Sequence, residues 1–200
     1  SEGEPHRPSN PYSASKSAQE SIAYSYWRTY NVPVIITNTM NNFGERQHPE
    51  KYVPMVIKKI LSGDLIEIHS KPNKDGDWTI GSRVWLHARN HADAIQFILE
   101  NVDVTDYVDT TVTPDIQRFN VAGEKEIDNL EIVNMIADII GEKPNYELVD
   151  FHSSRPGHDL RYSLDGSKLK EYGWNAPISV QESFERTVRW TMSRRDWLVE

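Results

Sequence analysis

The spacing of apolar positions divides this chain into alternating helical and extended segments. From Asn10-Pro11 onward, Ala14, Ala18, Ile22, Ala23 and Tyr26 recur at helical intervals. Asparagine followed by proline is a helix-start signal, so the pattern predicts a helix running to about Tyr30. The next run, VPVIITN at 32–38, is short, β-branched and nearly all apolar, as expected of a buried strand in a parallel sheet. Val53, Val56, Ile57, Ile60 and Leu61 return to helical spacing, and Gly63 stands where that helix should stop. Short strands are expected at 65–69 and 83–86, flanking a polar loop SKPNKDGDWTIGS at 70–82. Further helices are predicted at 91–100, 129–140 (ending at Gly141), 165–172 and 179–193, with short strands near 117–121 and 145–150. The chain has neither an internal repeat nor a low-complexity tract.

Composition narrows the class. With 200 residues, 38% hydrophobic and 26% charged, the chain suits one domain, or one domain plus part of another, of a globular protein. No apolar run approaches the length of a membrane span, and no basic-then-apolar leader opens the chain, so a cytoplasmic protein without membrane partners is expected. The absence of cysteine removes disulfides, thiolate metal sites and a cysteine nucleophile. A net charge of −8 argues against a nucleic-acid surface, and an anionic ligand would be repelled unless basic residues gather locally.

The stretch PYSASK places Tyr12 and Lys16 four apart on the first predicted helix, hence on one face, one turn apart. A cation there stabilises phenolate over phenol, as proton exchange with a substrate hydroxyl requires. A tyrosine and a lysine also fall at this spacing by chance. The small residues Ser13, Ala14 and Ser15 between them favour chemistry, because they let a flat ligand approach the helix. His87 and His91 are likewise four apart, but with no acidic third ligand nearby a helix start is the better reading than a metal site. Trp174, Trp190 and Trp197, with Phe184 and Val188, read as core or interface residues of the terminal helices, and SRRDW as a solvated helix end. Ala18, Ile22 and Tyr26 suit either packing against a second helix or burial against a sheet.

One expected feature is missing: a nucleotide-binding α/β domain opens with a glycine-rich strand-to-helix turn, and no GxGxxG or GxxGxxG occurs in these residues. The chain therefore reads as the later part of a larger protein.

A series of motifs in order, PYSASK (11–16), NNFG (41–44), PEK (49–51), Arg-x-Trp (83–85), FNVAG (119–123) and RPGHD (155–159), resembles the extended short-chain dehydrogenase/reductases that act on nucleotide sugars. PEK and RPGHD resemble the dTDP-glucose 4,6-dehydratase branch in particular. The resemblance implies an α/β fold: the C-terminal part of a Rossmann-type protein, with residues 1–45 its last cofactor-domain elements and 46–200 mainly a small nucleotide-sugar-binding domain. It implies an NAD-dependent lyase in which Tyr12 is the acid/base, taking the sugar 4-hydroxyl proton during internal redox and loss of water to a 4-keto-6-deoxy sugar. Lys16 would favour its phenolate and hold the nicotinamide ribose. Asn38 and Asn41 would line the cofactor. Asn42, Lys51, Arg83, Asn120, Arg155 and His158 would contact the nucleotide sugar, dTDP-glucose being the expected substrate, with the four cationic or ionisable groups converging on the diphosphate. A homodimer through the Tyr12 helix is also implied, and no metal.

The sequence departs from that family pattern in two places. The 70–82 loop is longer than usual, leading to RVWLHARNHADA where relatives carry a more acidic and aromatic version, which leaves the nucleobase pocket open. The Asp-Glu pair that removes the C5 proton in the family is absent, so the isolated 200 residues are expected to be inactive. A UDP-glucuronate decarboxylase, a 4-epimerase, and a non-catalytic nucleotide-sugar-binding module remain the alternatives.

Overall fold

The computed structural model describes residues 1–105, 115–150 and 160–199. The first helix, α1, spans Pro11–Tyr30 and starts on a reciprocal cap: Asn10 Oδ1 accepts from the Ser13 amide at 2.9 Å, and Ser13 Oγ accepts from the Asn10 amide at 3.1 Å. It ends at Asn31 in the left-handed conformation. Only Trp27 of this helix is buried; Ile22 and Tyr26 are 59% and 53% exposed. Strand β1 then covers Ile35–Thr39. It is shorter and less buried than VPVIITN suggests: it begins beyond Pro33, which has no amide to donate to a ladder, and only Ile36 is fully covered.

Strand β2, Asn42–Phe43, leads to α2, Tyr52–Ser62, whose Val53, Val56, Ile57 and Ile60 are buried and whose stop is Gly63 at φ 74°. The expected polar loop at 70–82 is largely a hairpin. Strand β3, Ile66–Pro72, pairs antiparallel with β4, Trp78–Ile80. Asn73 Oδ1 accepts from the amides of Asp75 and Asp77, and Gly76 takes φ 86° to close the turn. Two short strands follow, β5 at Ser82–Val84 and β6 at Leu86–His87. Helix α3, Ala88–Asn101, starts three residues before the predicted 91, because His87 caps it: His87 Nδ1 accepts from the Arg89 amide.

Strand β7 is Gln117–Val121, and β8 is Glu126–Asp128. Helix α4, Asn129–Ile140, ends at Gly141 at φ 83° as predicted. Strand β9, Tyr146–Asp150, and β10, Arg161–Tyr162, precede a short α5 at Ser167–Glu171 and α6 at Val180–Ser193. The SRRDW end is a 3-10 turn at Arg195–Leu198 that buries Leu198.

Four small sheets organise these strands among the described residues: β1 beside β7, β2 beside β6, β10-β5-β8, and β4-β3-β9. Helices α2, α4 and α6 cover β3 and Trp85 around a core containing Ile57, Ile68, Ile132, Ile136, Phe184 and Val188. A second core joins β7 to α3 and α5 through Phe119, Val121, Ile98, Leu169 and Trp174. A third, smaller one joins Trp27 to Ile36 and Ile116. Trp174, Phe184 and Val188 lie inside as expected, whereas Trp197 is on the surface, edge-on to Trp190 at 5.9 Å and donating from its indole to the Gln47 carbonyl.

The FNVAG glycine is set by contact. A Cβ on Gly123 would lie 1.9 Å from the Trp85 carbonyl oxygen, so backbone touches backbone where β7 ends, and no side chain fits.

Candidate functional site

Tyr12 occupies the first turn of α1 and is 71% exposed. Lys16 follows one turn later with Nζ 5.7 Å from the centre of the Tyr12 ring. The helix-start proline and the Asn10–Ser13 cap fix this turn, while Ser15 folds its hydroxyl back onto the Tyr12 carbonyl at 2.8 Å. The result is a phenol and an ammonium on one open face flanked by short side chains.

Asn38 and Asn120 come together through the β1–β7 ladder. The strands run parallel with Asn38 opposite Asn120, although the two are far apart in sequence. Asn120 is buried; its Nδ2 donates to the Asp165 carbonyl at 3.0 Å and its amide donates to Glu2 at 3.1 Å. Asn41 follows β1 and is exposed.

Asn42 is fixed from several sides. Its strand β2 lies parallel to β6, Asn42 opposite Leu86 and Phe43 opposite His87. Its backbone carbonyl accepts from Gln47 Nε2 at 2.8 Å, and its own Nδ2 meets His91 Nδ1 at 3.1 Å and Thr39 Oγ1 at 3.4 Å. The NNFG turn is pressed against the start of α3: a Cβ on Gly44 would lie 3.3 Å from His87 Nε2.

His87 gives both ring nitrogens to structure. With Nδ1 accepting from the Arg89 amide, the ring proton sits on Nε2 and is donated to Glu45 at 3.1 Å. Burial pushes the His87 pKa down against the pull of Glu45. Burial alone would raise Glu45, but its own backbone amide, His87, Arg89 and Arg186 together hold it below the usual carboxylate range. The His87/His91 spacing thus marks a helix start, and among the described residues no group of three or more His, Asp or Glu side chains is placed to hold a metal.

Of the predicted cations, Lys51 and Arg83 have different partners. Lys51 is the residue before α2, exposed and paired with Glu50 at 2.8 Å. Arg83 on β5 donates to the carbonyls of Ser82 at 2.6 Å and Leu160 at 2.8 Å. Arg155 and His158 lie outside the described residues. Strand β10 pairs with β5, Tyr162 opposite Arg83, and Arg161 grips Glu126 through three contacts of 2.6–2.9 Å while Ser82 donates to the same carboxylate. The chain leaving RPGHD is therefore anchored directly beside Arg83.

Sequence reasoning did not single out Glu45, Gln47, His91 in its actual role, or the Glu126–Arg161 pair. Their partners lie 35 to 49 residues away for three of these contacts, beyond any local pattern. The one available signal was the His87/His91 spacing itself.

An exposed tyrosine–lysine turn on a capped helix, followed in the chain by a strand that pairs in parallel with a distant one, belongs to a mixed α/β architecture of Rossmann type. The sequence profile described as GDP-mannose 4,6 dehydratase matches residues 1–187, and the chain belongs to that family. It is 37% identical over 199 residues to the dTDP-glucose 4,6-dehydratase of Haemophilus influenzae, covering 94% of this chain and 54% of that protein. Among solved structures, the dTDP-glucose 4,6-dehydratase of Bacillus anthracis in complex with NAD superposes with a TM-score of 0.80 at 28% identity, covering 98% of this chain and 56% of that one. The Streptomyces venezuelae dTDP-glucose 4,6-dehydratase, whose structure also holds NAD, gives 0.79 at 31%, covering 99% and 56%. The chain thus spans about half the length of the relatives it matches. The fold is that of the extended short-chain dehydrogenase/reductases, as the motif series implied. No helix among the described residues is long and apolar enough to cross a membrane.

Proposed function

We propose that the protein carrying this chain is an NAD-dependent nucleotide-sugar 4,6-dehydratase acting on dTDP-glucose, with Tyr12 as its acid/base. The observation that carries the reading is the exposed Tyr12 hydroxyl on a capped helix start with the Lys16 ammonium 5.7 Å from its ring. The pair fits the nicotinamide end of a dinucleotide: the ammonium can donate to ribose hydroxyls while the phenol faces a sugar hydroxyl, and nothing in the turn between them is larger than serine. NAD when bound supplies reversible hydride acceptance. Tyr12 holds the proton of the sugar 4-hydroxyl, so that a ketone forms without passing through a free alkoxide. Lys16 supports the phenolate electrostatically. Asn38, Asn41 and Asn42 line the site, and Lys51, Arg83, Asn120, Arg155 and His158 bind the nucleotide diphosphate.

Two features support the substrate class. The carboxamide of Asn42 is rigidly presented at a strand end, and Arg83 is placed beside the segment following RPGHD. Both the H. influenzae and the S. venezuelae relatives bear the dTDP-glucose 4,6-dehydratase name. The 200 residues alone carry no GxGxxG turn, so the isolated chain does not hold the dinucleotide pyrophosphate and is inactive. The whole protein is a cytoplasmic homodimer in this reading, with the open Ile22/Tyr26 face of α1 at its contact. The test is incubation of the full-length protein with dTDP-glucose and NAD, followed by the base-induced absorbance of a 4-keto-6-deoxy sugar. Its appearance supports the assignment; an epimer, a pentose product or no ketone overturns it.

A further inference from the structure

Asn42 Nδ2 and His91 Nδ1 are 3.1 Å apart across 49 residues of sequence. We propose that His91 is a positioning residue: its ring nitrogen sets the orientation in which the Asn42 carboxamide is offered to the sugar nucleotide. The inference rests on the function proposed above for the role of Asn42, and adds the group that controls it.

The fold brings the two together by construction. Pairing of β2 with β6 puts Asn42 opposite Leu86, and α3 begins at the next residue but one, Ala88. His87 caps the helix, and His91, one turn further along the same face, reaches back over β2. An asparagine side chain has a donating and an accepting end, and which end points where must be fixed by its partners. Here Nδ2 meets His91 Nδ1 at 3.1 Å and, more weakly, Thr39 Oγ1 at 3.4 Å. Gln47 Nε2 clamps the Asn42 backbone carbonyl at 2.8 Å, so the residue has little freedom left. Asn42 Oδ1 is buried without a hydrogen-bond partner among the described residues, and is therefore the end left for a donor from outside.

An acceptor at His91 Nδ1 requires the neutral ring with its proton on Nε2, and burial, which lowers the His91 pKa, keeps the ring neutral at pH 7. If the imidazole could not accept, nothing except the long Thr39 contact would distinguish the two ends of the carboxamide.

The experiment is a double-mutant cycle in the full-length protein: His91→Leu, which removes the nitrogen and keeps apolar bulk; His91→Gln, which keeps an acceptor; Asn42→Ala; and His91→Leu with Asn42→Ala. KM and kcat for dTDP-glucose, calorimetric affinity for the same compound, and thermal midpoints are measured for each. His91→Leu is expected to weaken kcat/KM about 10-fold, the value of one hydrogen bond. The loss should fall in the same parameter as Asn42→Ala, His91→Gln should recover most of it, and the double variant should be no worse than Asn42→Ala alone. Additive losses, equal damage from His91→Leu and His91→Gln, or a lowered thermal midpoint with kinetics unchanged would each overturn the proposal. If the wild-type protein binds dTDP-glucose but makes no ketone, the dehydratase reading fails, while the calorimetric cycle still decides the His91–Asn42 coupling.

Discussion

The His87 ring donates from Nε2 to the Glu45 carboxylate at 3.1 Å, closing the NNFG turn onto the cap of α3. Glu45 also draws Arg186 of α6 to 3.7 Å and Arg89 to 3.8 Å, so one carboxylate joins a strand end to two helices. Burial favours neutral His87 in the folded protein, and its folded pKa lies below the ordinary value of 6.5. His91 is shifted the same way, by burial. Stability that depends on these neutral rings is present in full above pH 6.5 and is lost as pH falls through the lowered folded values. Urea midpoints should therefore drop between pH 7.5 and 5.5, and His87→Gln should flatten that drop. An unchanged pH profile in the variant would contradict this account.

Removing Glu45 leaves the buried His87 donor unsatisfied and two guanidinium groups without their shared anion. Glu45→Ala should cost about 1 to 3 kcal/mol. Arg89→Ala, on an exposed partner, should cost no more than about 1 kcal/mol. Denaturant titration of both variants checks the ratio.

Gly123→Ala places a methyl group against the Trp85 carbonyl oxygen at a separation no atom pair tolerates. Backbone must move, and the expected loss is about 3 kcal/mol. Chemical denaturation measures it; a variant as stable as the parent would mean that the contact between β7 and Trp85 is not kept in solution.

Phe184 is fully buried and stacked on Phe43 with centroids 4.2 Å apart. Phe184→Ala should lower stability by about 3 to 5 kcal/mol. Because Phe43 belongs to NNFG, the same change should also loosen Asn42, raising KM in the full-length protein in a way that a core substitution away from Phe43, such as Ile136→Val, should not.

Tyr12→Phe separates chemistry from packing. The ring is 71% exposed, so stability should move by less than about 0.5 kcal/mol. In the full-length protein, the proposed turnover of dTDP-glucose should fall about 100- to 10,000-fold. Comparable losses in both would place Tyr12 in the fold and not in the chemistry.

The elements legible in the sequence were those whose signals are local. Helices α2 and α4 announce themselves by apolar spacing and by Gly63 and Gly141 in left-handed stops, and α6 by Ser179, whose hydroxyl accepts from the Glu182 amide. The hairpin at 66–80 escaped because its strands are mostly polar beyond Ser70 and its pairing depends on the Asn73 turn. Strands β2, β6, β8 and β10 are two or three residues long, too short to show any period, and exist only because a distant partner is present. In the candidate site, Tyr12, Lys16 and the asparagines could be named from motif order. The residues that hold the NNFG turn, Glu45, Gln47 and His91, could not, since Glu45 and His91 meet their partners across 42 and 49 residues and Gln47 bonds a backbone carbonyl.

The strand ladders are interlaced along the chain. Residues 35–39 pair with 117–121, and 66–70 pair with 146–150, so each closed loop encloses one strand of the other. Neither ladder can be cut out as a contiguous peptide, and zipping the first commits the intervening polypeptide before the second can finish. Loop closure over such separations is entropically slow. A ribosome must therefore release the chain past residue 121 before β1 meets its partner and past 150 before β3 meets β9, which exposes half-made sheet edges to neighbouring nascent chains for longer than a locally folding helical bundle would.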